Sequence, residues 1–134
     1  MAEADPLKLL VITPERQVLD EAARSVVIPA HDGELGILLD RAPLMCELGV
    51  GELRYSRGGE ALRLFIDGGF AQVLDNRIVV LTTRAIPADK LTADMVGQAE
   101  REAERITAND DTSRAARQRA RERASVLRRM LANR

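Results

Sequence analysis

Aromatic residues are almost missing from this 134-residue chain: Tyr55, Phe65 and Phe70 are present, and tryptophan does not occur. Any core must therefore be built from Leu, Ile, Val and Ala, and modules that stack nucleobases on aromatic rings lack their platforms. A single cysteine, Cys46, excludes an internal disulfide framework and suits a reducing compartment. With His31 as the sole histidine there is no Cys/His set for a structural metal. No apolar run approaches the ~20 residues of a membrane-spanning helix. The acidic opening Met1-Ala2-Glu3-Ala4-Asp5 is unlike a secretory leader, so membrane association is expected only through partners. Gly58-Gly59 and Gly68-Gly69 lack the Lys-Ser/Thr of a phosphate-binding loop and the spacing of a dinucleotide fingerprint.

What is present falls into two parts. Through about residue 86 the chain reads as short strands: 7–13, 17–20, 23–28, 35–39, 44–48, 51–56, 61–67, 70–74 and 78–83. Leu62, Leu64 and Ile66 alternate with Arg63, Phe65 and Asp67, the period of a half-buried strand. Arg57-Gly58-Gly59-Glu60 and Asp75-Asn76-Arg77 supply hairpin turn residues, and Gly68-Gly69 marks a bend or bulge. Strands at this spacing predict an all-β sandwich or barrel. After Ile86-Pro87 the period changes to helical. Leu91, Met95, Ala99 and Ile106 share one stripe, interrupted by Glu102. Residues 108–111 break that pattern and open a second helix, striped by Ala116, Ala120, Ala124, Leu127 and Leu131. The expected organisation is a β-sandwich over 1–88 and an antiparallel two-helix hairpin over 89–134, whose alanine-rich faces bury little area and hold weakly.

Charge divides the same way. The net charge is −1, yet residues 1–90 carry ten Lys/Arg against fourteen Asp/Glu, and residues 112–134 carry eight Arg against Glu122 alone. Arg114, Arg117, Arg121 and Arg128 lie within about 60° on a helical wheel. A face of one sign repels itself by roughly 0.2–0.5 kcal/mol per like pair, and an acidic partner would relieve that and speed encounter. Asp32 and Glu34, two apart on a turn with no nucleophile nearby, do not form an acid–base pair, so a small hydrolase ranks last. His31 reads as an exposed turn residue and Cys46 as a small strand residue.

Several segments, in order, resemble the epsilon subunit of bacterial F-type ATP synthases. They are Val11-Ile12-Thr13-Pro14-Glu15-Arg16, then Ile28-Pro29 with Asp32-Gly33-Glu34-Leu35-Gly36-Ile37-Leu38, Ala42-Pro43-Leu44, and Gly68-Gly69-Phe70-Ala71-Gln72-Val73. The resemblance spans nearly the whole chain. It implies a β-sandwich followed by a helical hairpin and a non-catalytic central-stalk subunit without cofactor or metal. It further implies gamma, the c-ring and the beta subunits as partners, at the cytoplasmic face of the bacterial membrane. By the same resemblance Glu34 and Arg41, with Asp32 and Asp40 beside them, would meet the c-ring. Arg114, Arg117, Arg121 and Arg128 would meet acidic beta-subunit segments and impede ATP hydrolysis. Two departures stand out. Leu39-Asp40-Arg41 replaces the family's usual Pro-Gly-His, leaving an ion-paired or exposed acid–base couple. At the start of the first helix, Thr92 and Met95 occupy the acid and arginine positions of the family's ATP-binding motif, so no nucleotide is expected. The rival reading makes the arginine-rich helix a nucleic-acid-binding module, detectable by steep salt dependence.

Overall fold

The computed structural model describes residues 5–133. Eight strands come first: β1 (Leu7–Ile12), β2 (Gln17–Ala23), β3 (Ser25–Ala30), β4 (Gly33–Ile37), β5 (Leu44–Arg57), β6 (Glu60–Leu74), β7 (Arg77–Leu81) and β8 (Ala85–Pro87). A 3-10 turn (Ala88–Lys90) leads into helices α1 (Ala93–Arg105) and α2 (Asp111–Ala132). The chain divides into two compact units, residues 1–86 and 87–134.

The strands run in the order β2-β1-β7-β6-β5-β3-β4, with β8 paired to β6. Strands β1 and β7 pair in parallel, while β1–β2, β3–β4, β3–β5, β5–β6 and β6–β7 pair antiparallel. The sheet folds over itself, because β2 at one edge of that order reaches β5 near the other. Tyr55 donates its hydroxyl proton to Glu21 Oε1 at 2.8 Å, Arg57 pairs with Glu21 at 3.0 Å, and the Arg24 N–H donates to the Ser56 carbonyl at 2.8 Å. The result is a β-sandwich whose inner cluster draws Leu9 and Val11 from β1, Ile28 from β3, Leu53 from β5, Ile66 and Val73 from β6 and Val80 from β7. Aliphatic side chains dominate, and each one fully buried contributes roughly 1.5–3 kcal/mol. Burial of Tyr55 and its bond to Glu21 push the phenol pKa upward.

The two central strands are longer than the sequence pattern suggests. Residues 44–48 and 51–56 form one strand of 14 residues, and 61–67 and 70–74 form one of 15. The glycines bend these strands instead of ending them. Gly68 and Gly69 take φ of 71° and 111°, yet the register with β5 runs on unbroken, Leu48 facing Gly69 and Val50 facing Asp67. A Cβ on Gly69 would stand 1.9 Å from the Leu81 carbonyl oxygen, so close approach of β7 demands glycine there. Phe65, expected on the outward side of its strand, is 0% exposed like its neighbours Leu64 (1%) and Ile66 (0%). Strand β6 is thus covered on both faces at that level.

In the second unit α1 begins two residues after Leu91, which is extended, and Thr92 caps it by accepting the Met95 N–H at 3.2 Å. Leu91 and Ile106 of the expected stripe therefore lie outside α1, and the residues that α1 buries are Val96, Ala99 and Ala103. Asp110 caps α2 in a reciprocal capping box with Ser113. The Ser113 N–H donates to the Asp110 carboxylate at 2.8 Å, and this bond, with the Ser113 side chain, holds the Asp110 pKa below the ordinary range. Helix α2 buries Ala120, Ala124, Leu127, Val126 and Met130. Alanine recurs on both facing stripes, so the helices approach closely with little apolar area between them.

Candidate functional site

Two loops singled out in the sequence converge on the first residues of β5. The β3–β4 turn carries His31 and Asp32, and the His31 N–H donates to the Glu47 carbonyl at 2.8 Å. Burial raises the Cys46 thiol pKa and the nearby Asp32 charge raises it further, which places Asp32 within electrostatic range of β5. The 38–43 loop enters β5 directly at Leu44. Glu34, on β4, is not a free docking charge, since it accepts both arms of the Arg54 guanidinium at 2.6 and 3.1 Å. That bidentate bond raises the Arg54 pKa. Both groups are well exposed, so the pair is worth at most about 1 kcal/mol. Arg54 and Arg63 flank Glu52 at 3.6 and 2.6 Å and extend the pair into a network.

Of the two alternatives the sequence leaves for Asp40 and Arg41, ion-paired or exposed, the structure shows the second: both are exposed and they do not pair with each other. The Asp40 N–H donates to Asn76 Oδ1 at 2.6 Å, and Asn76 Nδ2 donates back to Asp40 Oδ1 at 3.2 Å. The Asp40 carboxylate is thereby turned toward the β6–β7 turn. The exposed Arg41 side chain has no hydrogen-bond or ion-pair partner among the described residues.

The outer face near this end is apolar, a feature that charge-based reading missed. Met45 is 69% exposed, Phe70 56% and Leu81 51%, with Leu38, Leu39 and Leu74 also exposed. Phe70 pairs with Leu81, and Leu81 with Ile12, so three apolar side chains form one row across β6, β7 and β1. A shallow cleft of about 320 Å³ adjoins the row, lined by Ile12, Pro14, Leu81 and three threonines (Thr13, Thr82, Thr83) beside Gly69. The period-two placement of Phe70, Gln72 and Leu74 was the available signal.

In the helical unit the four arginines do not form a face of one sign. Arg128 is ion-paired with Glu100 of α1, and Arg114 with Asp111. Arg117, Arg121 and Arg128 line a groove of about 470 Å³ together with Glu100 and Glu104. The wheel of α2 alone could not reveal these carboxylates, because they come from the other helix. Arg117 Nε is buried without a hydrogen-bond partner. Thr92 and Met95 are joined by the helix cap. Among the described residues no cluster of three or more Cys, His, Asp or Glu side chains is placed to hold a metal ion, and no helix is long and apolar enough to cross a membrane.

Comparison with known proteins agrees with this architecture. Residues 6–88 match the family described as ATP synthase, Delta/Epsilon chain, beta-sandwich domain. The ATP synthase epsilon chain of Rhodopirellula baltica is 49% identical over 88 residues, covering 66% of this chain and 69% of that one. The epsilon chain of Desulforamulus reducens is 42% identical over 97 residues, covering 72% and 74%. A chain in the Euglena gracilis mitochondrial ATP synthase shares the fold with TM-score 0.79 at 24% identity, over 95% of this chain and 82% of that one. A chain in the Tetrahymena thermophila central stalk and c-ring structure shares it with TM-score 0.72 at 13% identity, over 96% and 98%.

Proposed function

The chain belongs to the delta/epsilon family of ATP synthase subunits, as an epsilon chain with no catalytic role of its own, and from that premise we propose how its two units divide the work. The sandwich docks on the gamma subunit through the Phe70–Leu81–Ile12 row and its adjoining cleft. The β3–β4 turn with Asp32, the adjoining start of β4 with the Arg54-paired Glu34, and the 38–43 loop with Asp40 and Arg41 face the c-ring. The helical unit restrains ATP hydrolysis by presenting Arg114, Arg117, Arg121 and Arg128 to acidic segments of the beta subunits. The assembled complex holds the chain at the cytoplasmic face of the membrane.

The observation that carries this reading is the exposed apolar face of β5, β6 and β7 beside a shallow cleft. Side chains such as Phe70 left in water at neighbouring positions are the ordinary mark of a protein-binding surface. Arg41, exposed and unpaired among the described residues, supplies a charge at the edge of that surface. Burying the exposed part of Phe70 against a partner is worth roughly 1–2 kcal/mol, as much as the best of the exposed ion pairs or more. Torque is then carried by packing, with the charges setting orientation.

The helical part of the proposal follows from the groove. In the folded hairpin Glu100 neutralises Arg128 while Arg117 keeps an unmet donor. An external acidic segment competes with Glu100 and Glu104 for the same guanidinium groups. Those two carboxylates also disfavour the nucleic-acid alternative, since a phosphate backbone entering the groove would meet them. The test is reconstitution of the synthase with the full chain and with a chain lacking residues 89–134. Assembly and coupling should persist and hydrolysis should rise; unchanged hydrolysis removes the inhibitory role. Failure of the full chain to co-purify from membranes with the other synthase subunits removes the docking role.

A further inference from the structure

Among the described residues three non-glycine residues adopt positive φ: Asp40 at 63°, Asp75 at 52° and Asn76 at 62°. Two of them grip each other although 36 residues separate them in sequence. Asp40 is the third residue of a β-turn closed by the Arg41 N–H donating to the Leu38 carbonyl at 3.3 Å. That position takes glycine or asparagine with least steric cost. Asp75 and Asn76 are the two central residues of the β6–β7 hairpin, whose flanks Leu74 and Arg77 pair, and both central positions of such a turn need positive φ. Neither Asp40 nor Asn76 is the residue that backbone conformation alone would favour. What each adds over glycine is a side chain, and those side chains form a two-bond ring: backbone N–H to amide oxygen at 2.6 Å and amide N–H to carboxylate at 3.2 Å. The hairpin is itself fixed, because the Asn76 carbonyl accepts the Lys8 N–H at 3.0 Å. The 38–43 loop is thus tied through Asn76 to the start of β1.

We propose that Asp40 and Asn76 are positioning residues, a clamp that fixes the turn bearing Leu38, Leu39 and Arg41 and so sets where these exposed groups stand when the sandwich docks. The proposal rests on the docking role given to this loop. Leu38 and Leu39 are 64% and 51% exposed, and Arg41 is exposed beside them. A short loop with exposed side chains samples many arrangements, and ordering it on docking weakens binding. The clamp makes that ordering part of folding. It also explains why the Asp40 carboxylate does not neutralise its neighbour Arg41, since both its geometry and its hydrogen bond direct it to Asn76.

The test is the double variant Asp40→Gly, Asn76→Gly in the full chain. Glycine accepts both backbone conformations, so the folded state keeps its turns and loses only the side-chain bonds. Three quantities are measured: the thermal midpoint, amide hydrogen exchange at positions 40 and 41, and affinity for synthase depleted of this subunit. The expected result is a thermal midpoint within a few degrees of wild type, exchange at position 40 faster by about tenfold or more, and binding weakened by about five- to tenfold. The reciprocal variant D40N/N76D restores a carboxylate–amide pair in the opposite sense and should return binding to within about twofold of wild type. Unchanged exchange in the glycine variant would show that the clamp does not order the loop in solution. Faster exchange with undiminished binding would show that it orders the loop without positioning the docking groups. Either outcome overturns the proposal. If wild type fails to bind depleted synthase, the docking role falls and takes the positioning role with it, while the exchange measurement still reports the clamp.

Discussion

The sandwich and the helical hairpin are built from different materials. The inner cluster of the sandwich is made of Leu, Ile and Val side chains from six strands, and its far edges are tied by Tyr55, Glu21 and Arg57. The hairpin buries Ala99 and Ala103 on one helix and Ala120 and Ala124 on the other, with larger residues such as Leu127 and Met130 toward the end of α2. An alanine methyl removes far less surface from water than a leucine side chain, and burial scales with area at roughly 25 cal/mol per Å². The hairpin compensates with its caps at Thr92 and Asp110 and with ion pairs, which are local and solvent-facing. On the proposed function, the first unit stays folded under load and the second is the one that comes undone.

Substitutions break or sharpen this contrast in decreasing order of effect. Replacing Ile66 with Ala should destabilise the sandwich by about 2–5 kcal/mol, because the site is fully buried and cannot collapse. Chemical denaturation of the full chain would read the loss. Ala120→Gly in the middle of α2 should cost only about 1 kcal/mol. If the two changes proved equally damaging, the difference in construction would be illusory.

Phe70→Ala should weaken docking by about 2 kcal/mol, near thirtyfold, with little change in thermal midpoint, since the ring is more than half exposed in the free chain. Titration of depleted synthase measures it. Equal losses of stability and affinity would make Phe70 a core residue instead of a docking anchor.

Glu100→Gln removes the partner of Arg128. The pair joins an exposed Arg128 to a half-buried Glu100, and its loss frees a guanidinium for an external acid. Hydrolysis by the reconstituted complex should become more strongly inhibited. Weaker inhibition would mean that the closed groove is the inhibitory form.

The smallest effect concerns pH. Asp110 has its pKa lowered by the Ser113 hydrogen bonds. A carboxylate with a depressed folded-state pKa gives its full contribution above the unfolded value, and loses it as pH falls through the folded value. The first turn of α2 should therefore fray in acid, below the ordinary carboxylate range, while β-strand signals persist. Asp110→Ala should abolish that pH dependence. Circular dichroism together with amide exchange at Ser113 and Arg114 would follow it, and fraying at neutral pH in the wild type would contradict the capping role.

Much of this contrast is legible in the sequence. The alternation of Leu62, Leu64 and Ile66 marks an inward strand face, Asp75-Asn76 marks a hairpin, and the acids at 110–111 mark a helix start. What escapes is whatever depends on two distant segments meeting. Gly68-Gly69 looks like a break until the Leu81 carbonyl is seen against Gly69. Thr92 acting as cap leaves Leu91 outside α1, and the face that α1 buries, Val96, Ala99 and Ala103, is set by what it packs against. The arginines of α2 look unneutralised until α1 brings Glu100 and Glu104 alongside. Asp40 reads as the natural partner of Arg41, its neighbour, and instead holds Asn76, which no local pattern reveals.

Native-state hydrogen exchange on the full chain tests the contrast most directly. Amides within α1 and α2 should exchange through openings several kcal/mol easier than global unfolding, while those of β1, β6 and β7 exchange only when the whole sandwich unfolds. Strands and helices exchanging at one common opening free energy would contradict the division into a durable docking unit and a releasable regulatory one.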